Sequence, residues 1–270
     1  MLAKVYDELS NKTMPFPCYC QPKIDGVRMI WDGENYYSRT GRPLSIPLKI
    51  EEVLRREFRD FPLDGELFIP DAPFTLVSGQ VRKSGRPIED VRYMVFDTPL
   101  HETIFSRRLS LLKTQFAELF YADKIDANCP ISLLFTDTIL EEFEVSHRLR
   151  TYLAQGHEGL ILRDPNGFYE QKRSKTLQKH KPWHFEEALV CGWTEGKGKH
   201  QGTIGAFVLE DIHGRVLGSV GSGFSDAERD YYRTKAEQGN LIGKVFQIKY
   251  KEKTKTGKFR EPIFVHEVVV

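Results

Sequence analysis

Lys23 stands between a proline and an Asp-Gly turn, in the run Gln21-Pro22-Lys23-Ile24-Asp25-Gly26-Val27-Arg28. A lysine amine attacks an electrophile only when neutral, so a reactive Lys23 needs burial or neighbouring cations to lower its pKa. Arg28, Lys179 and Lys181 are the candidate neighbours. The last two belong to Leu177-Gln178-Lys179-His180-Lys181-Pro182, and on a strand that alternation turns both amines to one face. Amines on one face repel unless an anion lies between them, and a phosphate would satisfy both. Taken alone, the same pattern also describes a solvated edge strand blunted by lysines.

Two glutamates open apolar strands: Glu66 in Leu63-Asp64-Gly65-Glu66-Leu67-Phe68, and Glu158 ahead of Gly159-Leu160-Ile161-Leu162-Arg163. An acidic side chain there projects into a cleft at the strand end, although a single one serves equally well as a turn or cap residue. Together with Asp25 they offer oxygens for a ribose hydroxyl and a divalent metal. Phe96, in Tyr93-Met94-Val95-Phe96-Asp97, offers an aromatic face or a core side chain. Arg39 and Arg42 share a loop that can grip a phosphate or simply turn in solvent. Familiar phosphate devices are missing from the sequence: it has no G-x-x-x-x-G-K-[ST] run and no G-x-G-x-x-G after a strand. His180 and His184 lack partners at zinc spacing and read as structural or surface residues.

These residues need strands and helices to position them. Segments 17–24 and 27–31 read as strands around the Asp25-Gly26 turn, followed by strands over 63–69, 92–96, 131–135 and 158–163. Helical spacing marks Leu48, Val53, Leu54 and Phe58, then Leu109, Leu112, Phe116 and Phe120, and a third helix over 140–154. The irregular order excludes a simple alternating parallel α/β domain. From about Trp183 the pattern changes to three strands with Gly-rich joints, a helix capped by Ser225 with Asp226 and Glu228 in its first turn, and two more strands. Five strands with a helix between the third and fourth is the order of an OB-fold β-barrel. The expected division is residues 1–183 and 184–270, in an α+β fold.

With 270 residues, 40% hydrophobic and 29% charged, the chain is long and apolar enough for globular domains with real cores. A net charge of +1 leaves any basic binding surface to local clustering. Seven basic residues fall between Lys244 and Arg260, against Glu252 alone. Lys251, Lys253 and Lys255 alternate there as one basic strand face. Cys18, Cys20, Cys129 and Cys191 form no zinc spacing and are expected to be reduced thiols. No signal peptide or membrane-spanning run is read, so a cytoplasmic protein is expected.

In this order the motifs resemble those of ATP-dependent DNA ligases, in the nucleotidyltransferase superfamily that also holds RNA ligases and mRNA capping enzymes. Lys23-Ile24-Asp25-Gly26 resembles motif I, Ser38-Arg39-Thr40 motif Ia, Leu63 to Leu67 motif III, Tyr93 to Asp97 motif IIIa, Glu158 to Arg163 motif IV, and Lys179-His180-Lys181 motif V. The resemblance implies an ATP-grasp-like ligase domain followed by an OB domain. It implies a lysyl-AMP on Lys23 and sealing of nicked duplex DNA by a monomer using ATP and Mg²⁺ (or Mn²⁺). Lys179 and Lys181 would neutralise the α-phosphate, and Glu158 with Asp25 would hold the metal. Arg28 and Glu66 would fix the ribose, Phe96 would stack on adenine, and Gln21 would read its edge. Arg39 would take the nick 5′-phosphate, with Arg42 and the loop carrying Arg82 and Lys83 beside it on DNA. Arg260 would orient pyrophosphate, as the counterpart of motif VI. No additional DNA-binding domain, zinc finger or BRCT region is read, which fits the minimal ligases of viruses and bacterial accessory repair systems. A GTP-using capping enzyme, an RNA ligase and a non-catalytic binding protein share parts of this pattern.

Overall fold

The structure is a computed structural model that describes residues 1–6, 14–82, 90–122, 124–125, 128–254 and 256–268. The chain divides into two compact units, Met1–Lys181 and Pro182–Val270.

The first unit runs β1 (Leu2–Val5), β2 (Cys18–Pro22), β3 (Val27–Trp31), β4 (Tyr36–Ser38), α1 (Leu48–Glu57), β5 (Leu63–Phe68), α2 (Phe74–Val81), β6 (Arg92–Asp97), α3 (Phe105–Tyr121), β7 (Ile131–Leu133), β8 (Asp137–Ile139), α4 (Glu144–Ala154), β9 (Leu160–Arg163) and β10 (Arg173–His180). Two five-stranded sheets result, in the orders β4-β3-β5-β6-β7 and β1-β10-β9-β2-β8. Both are mixed: β6 with β7 and β1 with β10 are parallel, and the other neighbours are antiparallel. This matches the irregular order read from the sequence.

Strand alternation decides which face of each sheet is apolar. Met29, Trp31, Leu63 and Leu67 join α1, α2 and α3 in one core, through Ile50, Leu54, Val77, Val81, Leu112 and Phe116. Arg28, Asp64 and Glu66 alternate with those residues and take the opposite face. In the other sheet, Cys18, Cys20, Leu160 and Leu162 pack with Val145, Leu149 and Tyr152 of α4. All four cysteines are free thiols. Burial pushes the Cys18 and Cys20 thiols up to about 12, so they are inert packing groups. Helix α2 is an element the sequence did not announce. Its buried residues are Val77 and Val81 alone, too few for an apolar stripe.

The second unit runs β11 (His184–Glu195), β12 (Ile204–Glu210), β13 (Val216–Val220), α5 (Asp226–Glu237), β14 (Val245–Tyr250), β15 (Glu252–Lys253), β16 (Phe259–Arg260) and β17 (Ile263–Val268). The expected strand and helix order is present. Ser225 caps α5 in a reciprocal capping box with Glu228. Phe207, Leu209, Tyr232, Phe246, Ile248 and Phe264 form the core.

The expected closed barrel is not made. The strands form an open antiparallel sheet, β13-β12-β11-β14-β17, with β15-β16 as a separate hairpin. Among the described residues no ladder joins β13 to β17. Register shifts in the β11–β12, β12–β13 and β14–β17 pairings are the kind of irregularity that bends a sheet. They curl it until Phe264 N–H donates to Ser222 C=O at 2.9 Å, just past the end of β13. Among the described residues, no helix is long and apolar enough to cross a membrane.

Candidate active site

The site begins where three strands end together. Pro22 of β2 lies opposite Leu160 of β9, and Leu160 lies opposite His180 of β10. One step further, Lys23 N–H donates to Gly159 C=O at 2.9 Å, and Glu158 N–H to Lys23 C=O at 3.1 Å. The backbone thereby places Lys23, Glu158 and Lys181 side by side. The Lys23 ammonium donates to Glu158 Oε2, and the Lys181 ammonium faces Oε1. Gly159 permits this. It has φ +154°, and a Cβ there would stand 2.2 Å from His180 C=O. The expected cation neighbourhood of Lys23 is therefore modified: its direct partner is a carboxylate.

Beside Lys23 opens a cleft of about 270 Å³ lined by both sheets, with Gln21, Arg28, Glu66, Phe96, Arg163 and Lys179 among its walls. That is near the lower end of the roughly 300–1,000 Å³ usual for small-molecule sites. Arg28 and Glu66 are direct cross-strand partners in β3 and β5. The Arg28 guanidinium, however, reaches diagonally to Asp64, with Nε 2.7 Å from Oδ1. It also donates to the Met1 carbonyl and to Tyr169 Oη. Burial works against the Arg28 charge, but the Asp64 pair outweighs it and holds the guanidinium above its ordinary pKa. Burial also lifts the Glu66 carboxyl to about 7, against the opposing pull of Lys23 and Arg28.

Below the cleft lies a buried polar network. Asp97 binds Arg108 and Arg163 at 2.7 Å each. Arg163 Nε donates to Gln21 Oε1 at 2.7 Å, and its guanidinium stands 5.4 Å from the centre of the Phe96 ring. Gln21 Nε2 donates to Thr136 Oγ1 at 2.8 Å and to Phe96 C=O at 3.3 Å. The amide expected to read a base edge is thus pinned on both sides.

Residues 1–181 match the family signature described as "ATP dependent DNA ligase domain", and residues 195–267 match "DNA ligase OB-like domain". The chain belongs to the ATP-dependent DNA ligase family. It is an enzyme that forms phosphodiester bonds. The DNA ligase of Haemophilus influenzae is 32% identical over 246 residues, covering 88% of this chain and 82% of that protein. Among solved structures, one from a study of DNA binding by Lig E DNA ligases with a minimal scaffold aligns with a TM-score of 0.73 and 26% identity, over 99% of this chain and 98% of that one. The Chlorella virus DNA ligase-adenylate aligns with a TM-score of 0.57 and 25% identity, over 99% and 98%.

Not every expected site residue of the ligase meets the cleft. Asp25 is exposed and is not among the cleft walls. No cluster of three or more His, Cys, Asp or Glu suited to a metal occurs among the described residues. Arg39 is exposed and borders both the cleft and a second hollow of about 710 Å³, which Arg42, Arg82 and Phe74 also line. Lys83 lies outside the described residues, as does Lys255. In the second unit, Lys251 does not share one free face with Lys253. Lys251 Nζ sits 3.5 Å from the centre of the Trp183 ring, while Lys253 pairs with Glu186 at 2.7 Å and lies over Phe259. Arg260 is mostly exposed and pairs with Glu252 at 2.5 Å.

Sequence reasoning missed Asp64, Asp97, Arg108, Arg163 and Thr136 as parts of this site. Arg163 and Asp97 each end an apolar strand. Opposite charges at two such strand ends were the available sign of a buried pair.

Proposed function

We propose that Lys23 carries AMP as a phosphoramidate and that the ligase, acting as a monomer, seals 5′-phosphate/3′-hydroxyl nicks in duplex DNA. The supporting observation is the convergence of Lys23, Glu158 and Lys181 at three strand ends beside a cleft that also presents Glu66, Phe96 and Lys179.

Lys23 gives up a proton and its lone pair attacks the α-phosphorus of ATP. A P–N bond forms as the bond to the β-phosphate oxygen breaks and pyrophosphate leaves. Lys179 and Lys181 offset the charge that develops on the α-phosphate oxygens. Arg28 and Glu66 hold the ribose, and Phe96 stacks on the base. An oxygen of the nick 5′-phosphate, held by Arg39, then displaces Lys23 from phosphorus. The 3′-hydroxyl finally attacks the 5′-phosphorus and expels AMP, closing the strand. Arg42 and Arg82 in the first unit, and Lys251 and Lys253 in the second, are assigned to the duplex backbone. Arg260 is assigned to pyrophosphate.

The donor set fits Mg²⁺ or Mn²⁺ in a limited way. Magnesium is commonly held by one or two carboxylates together with substrate phosphates and water. Glu158 supplies one such carboxylate; Asp25 is exposed and would have to turn inward. When bound, the ion would lend positive charge to the phosphates. Binding it would also draw Glu158 from Lys23. The four free thiols suit a reducing, cytoplasmic setting.

The deciding experiment is intact-protein mass after stripping bound nucleotide and incubating with ATP and Mg²⁺, then with GTP, beside Lys23→Ala. A gain of one AMP from ATP alone, lost in the variant, followed by sealing of a nicked duplex, supports the proposal. A GMP adduct would transfer the chain to capping chemistry, and no adduct with either nucleotide would end the enzymatic assignment of Lys23.

A further inference from the structure

The cleft contains an amide whose direction is fixed before any base arrives. Gln21 is 1% exposed, and each hydrogen-bonding contact its side chain makes accepts only one orientation. Arg163 Nε–H is a donor and can face only the oxygen. The Phe96 carbonyl is an acceptor and can face only the NH₂ group. Thr136 is ambiguous in principle, because a hydroxyl both donates and accepts. Its own proton is directed to Leu134 C=O at 3.3 Å, which leaves its oxygen to accept from Gln21 Nε2. Asp97 holds Arg163 in turn. The O and N of an amide side chain are ordinarily assigned from such a network, and here all three partners agree.

The chemical consequence is asymmetric. Both Gln21 N–H groups are spent within the protein. Its oxygen accepts one bond, from Arg163, and retains a second lone pair. The only hydrogen-bonding capacity Gln21 can offer a ligand is therefore that of an acceptor. A purine with an amino group at C6 can donate to it. A purine with an oxygen at C6 would bring acceptor against acceptor.

We propose that Thr136 and Arg163 are positioning residues that hold the Gln21 amide as an acceptor and thereby select a 6-aminopurine nucleotide. The inference rests on the assignment of this cleft to the nucleotide. It deepens that assignment by naming the residues that set base choice, neither of which needs to touch the base.

The test is a functional-group cycle on adenylation of Lys23, read by intact mass over time. Wild type and Thr136→Val are each given ATP, GTP and purine riboside triphosphate, which lacks the 6-amino group. Valine keeps the shape of threonine but cannot accept the Gln21 N–H, so one of the amide's restraints is removed. In wild type, loss of the 6-amino group should raise KM about tenfold, the scale of one hydrogen bond to a committed buried partner. In Thr136→Val that penalty should shrink to about threefold or less, with the maximal rate little changed. Thr136→Ser should restore it. A purely structural role for Thr136 would raise KM equally for ATP and purine riboside triphosphate, and that result would overturn the proposal. So would a wild-type enzyme indifferent to the 6-amino group. Absence of any adduct in wild type would instead remove the nucleotide assignment itself, which keeps the two failures distinguishable. Circular dichroism melts of the three proteins identify any variant that fails to fold. Should Thr136→Val unfold, Thr136→Ala, which also cannot accept the Gln21 N–H, takes its place in the cycle with the same two outcomes.

Discussion

Lys23 and Glu158 are joined twice, once through their side chains and once through their backbones, where Glu158 N–H donates to the Lys23 carbonyl. Lys23 thus rests paired with a carboxylate beside the neighbouring strand. Lys23→Ala should eliminate the AMP adduct altogether, and Lys23→Arg should do the same while keeping the ion pair. Glu158→Gln should slow adenylation on the order of 10²-fold, the scale of misplacing a reacting group by about 1 Å. Adduct formation measured by mass at saturating ATP tests this. A Glu158→Gln enzyme as fast as wild type would remove Glu158 from the chemistry.

Arg39 is exposed and borders both the cleft beside Lys23 and the arginine-lined hollow. Arg39→Ala should leave adenylation of Lys23 close to wild type. Sealing of a nick by pre-adenylated enzyme should fall by about tenfold to a hundredfold, as expected for losing a charge-assisted bond to phosphate. A variant deficient only in forming lysyl-AMP would show that this loop serves the nucleotide instead of the nick.

Asp97 is 1% exposed and serves two guanidinium groups, Arg108 and Arg163. Asp97→Asn would leave two buried cations without their counter-ion. The expected cost is about 3–5 kcal/mol, read from urea denaturation of the whole chain. A loss below about 1 kcal/mol would mean that the two arginines find other partners or water.

Glu66 is raised from an ordinary 4.5 to about 7, chiefly by burial. A folded-state pKa above the unfolded value stabilises the protein fully below pH 4.5, and that contribution is lost as pH rises through about 7. Glu66→Gln removes the titration. The variant should match wild type near pH 4 and exceed it at pH 8 by up to about 3 kcal/mol, the equivalent of the shift. Paired denaturation curves at the two pH values would show it. A constant difference between the proteins would mean that Glu66 titrates alike in the folded and unfolded chains.

The sequence displayed the reactive groups because each sits in a short run whose residue types are unusual together: Lys23 before Asp25-Gly26, Glu66 after Asp64-Gly65, Glu158 before an apolar strand. It also displayed the strand and helix order of the second unit, since alternation and the Ser225 cap are local signals. The partners were hidden. Nothing near Lys23 in the chain says that Glu158 will meet it, because that meeting depends on how β2 and β9 pair. Arg28 stood in its expected place, yet its guanidinium belongs to Asp64, a choice made by a diagonal across two strands. Barrel closure was illegible for a similar reason. Whether β13 meets β17 depends on accumulated bulges, which leave no mark in hydrophobic pattern. Helix α2 escaped because two buried valines make no stripe.

Gly159 has no side chain to offer a substrate, yet the meeting of Lys23, Glu158 and Lys181 depends on the empty space where its Cβ would be. Any other residue there would press β9 away from His180 and pull the glutamate off its two lysines. Random mutagenesis scored for dead enzymes should therefore return this position beside Lys23 itself. A chemist redesigning the pocket would have to treat a hydrogen atom as untouchable.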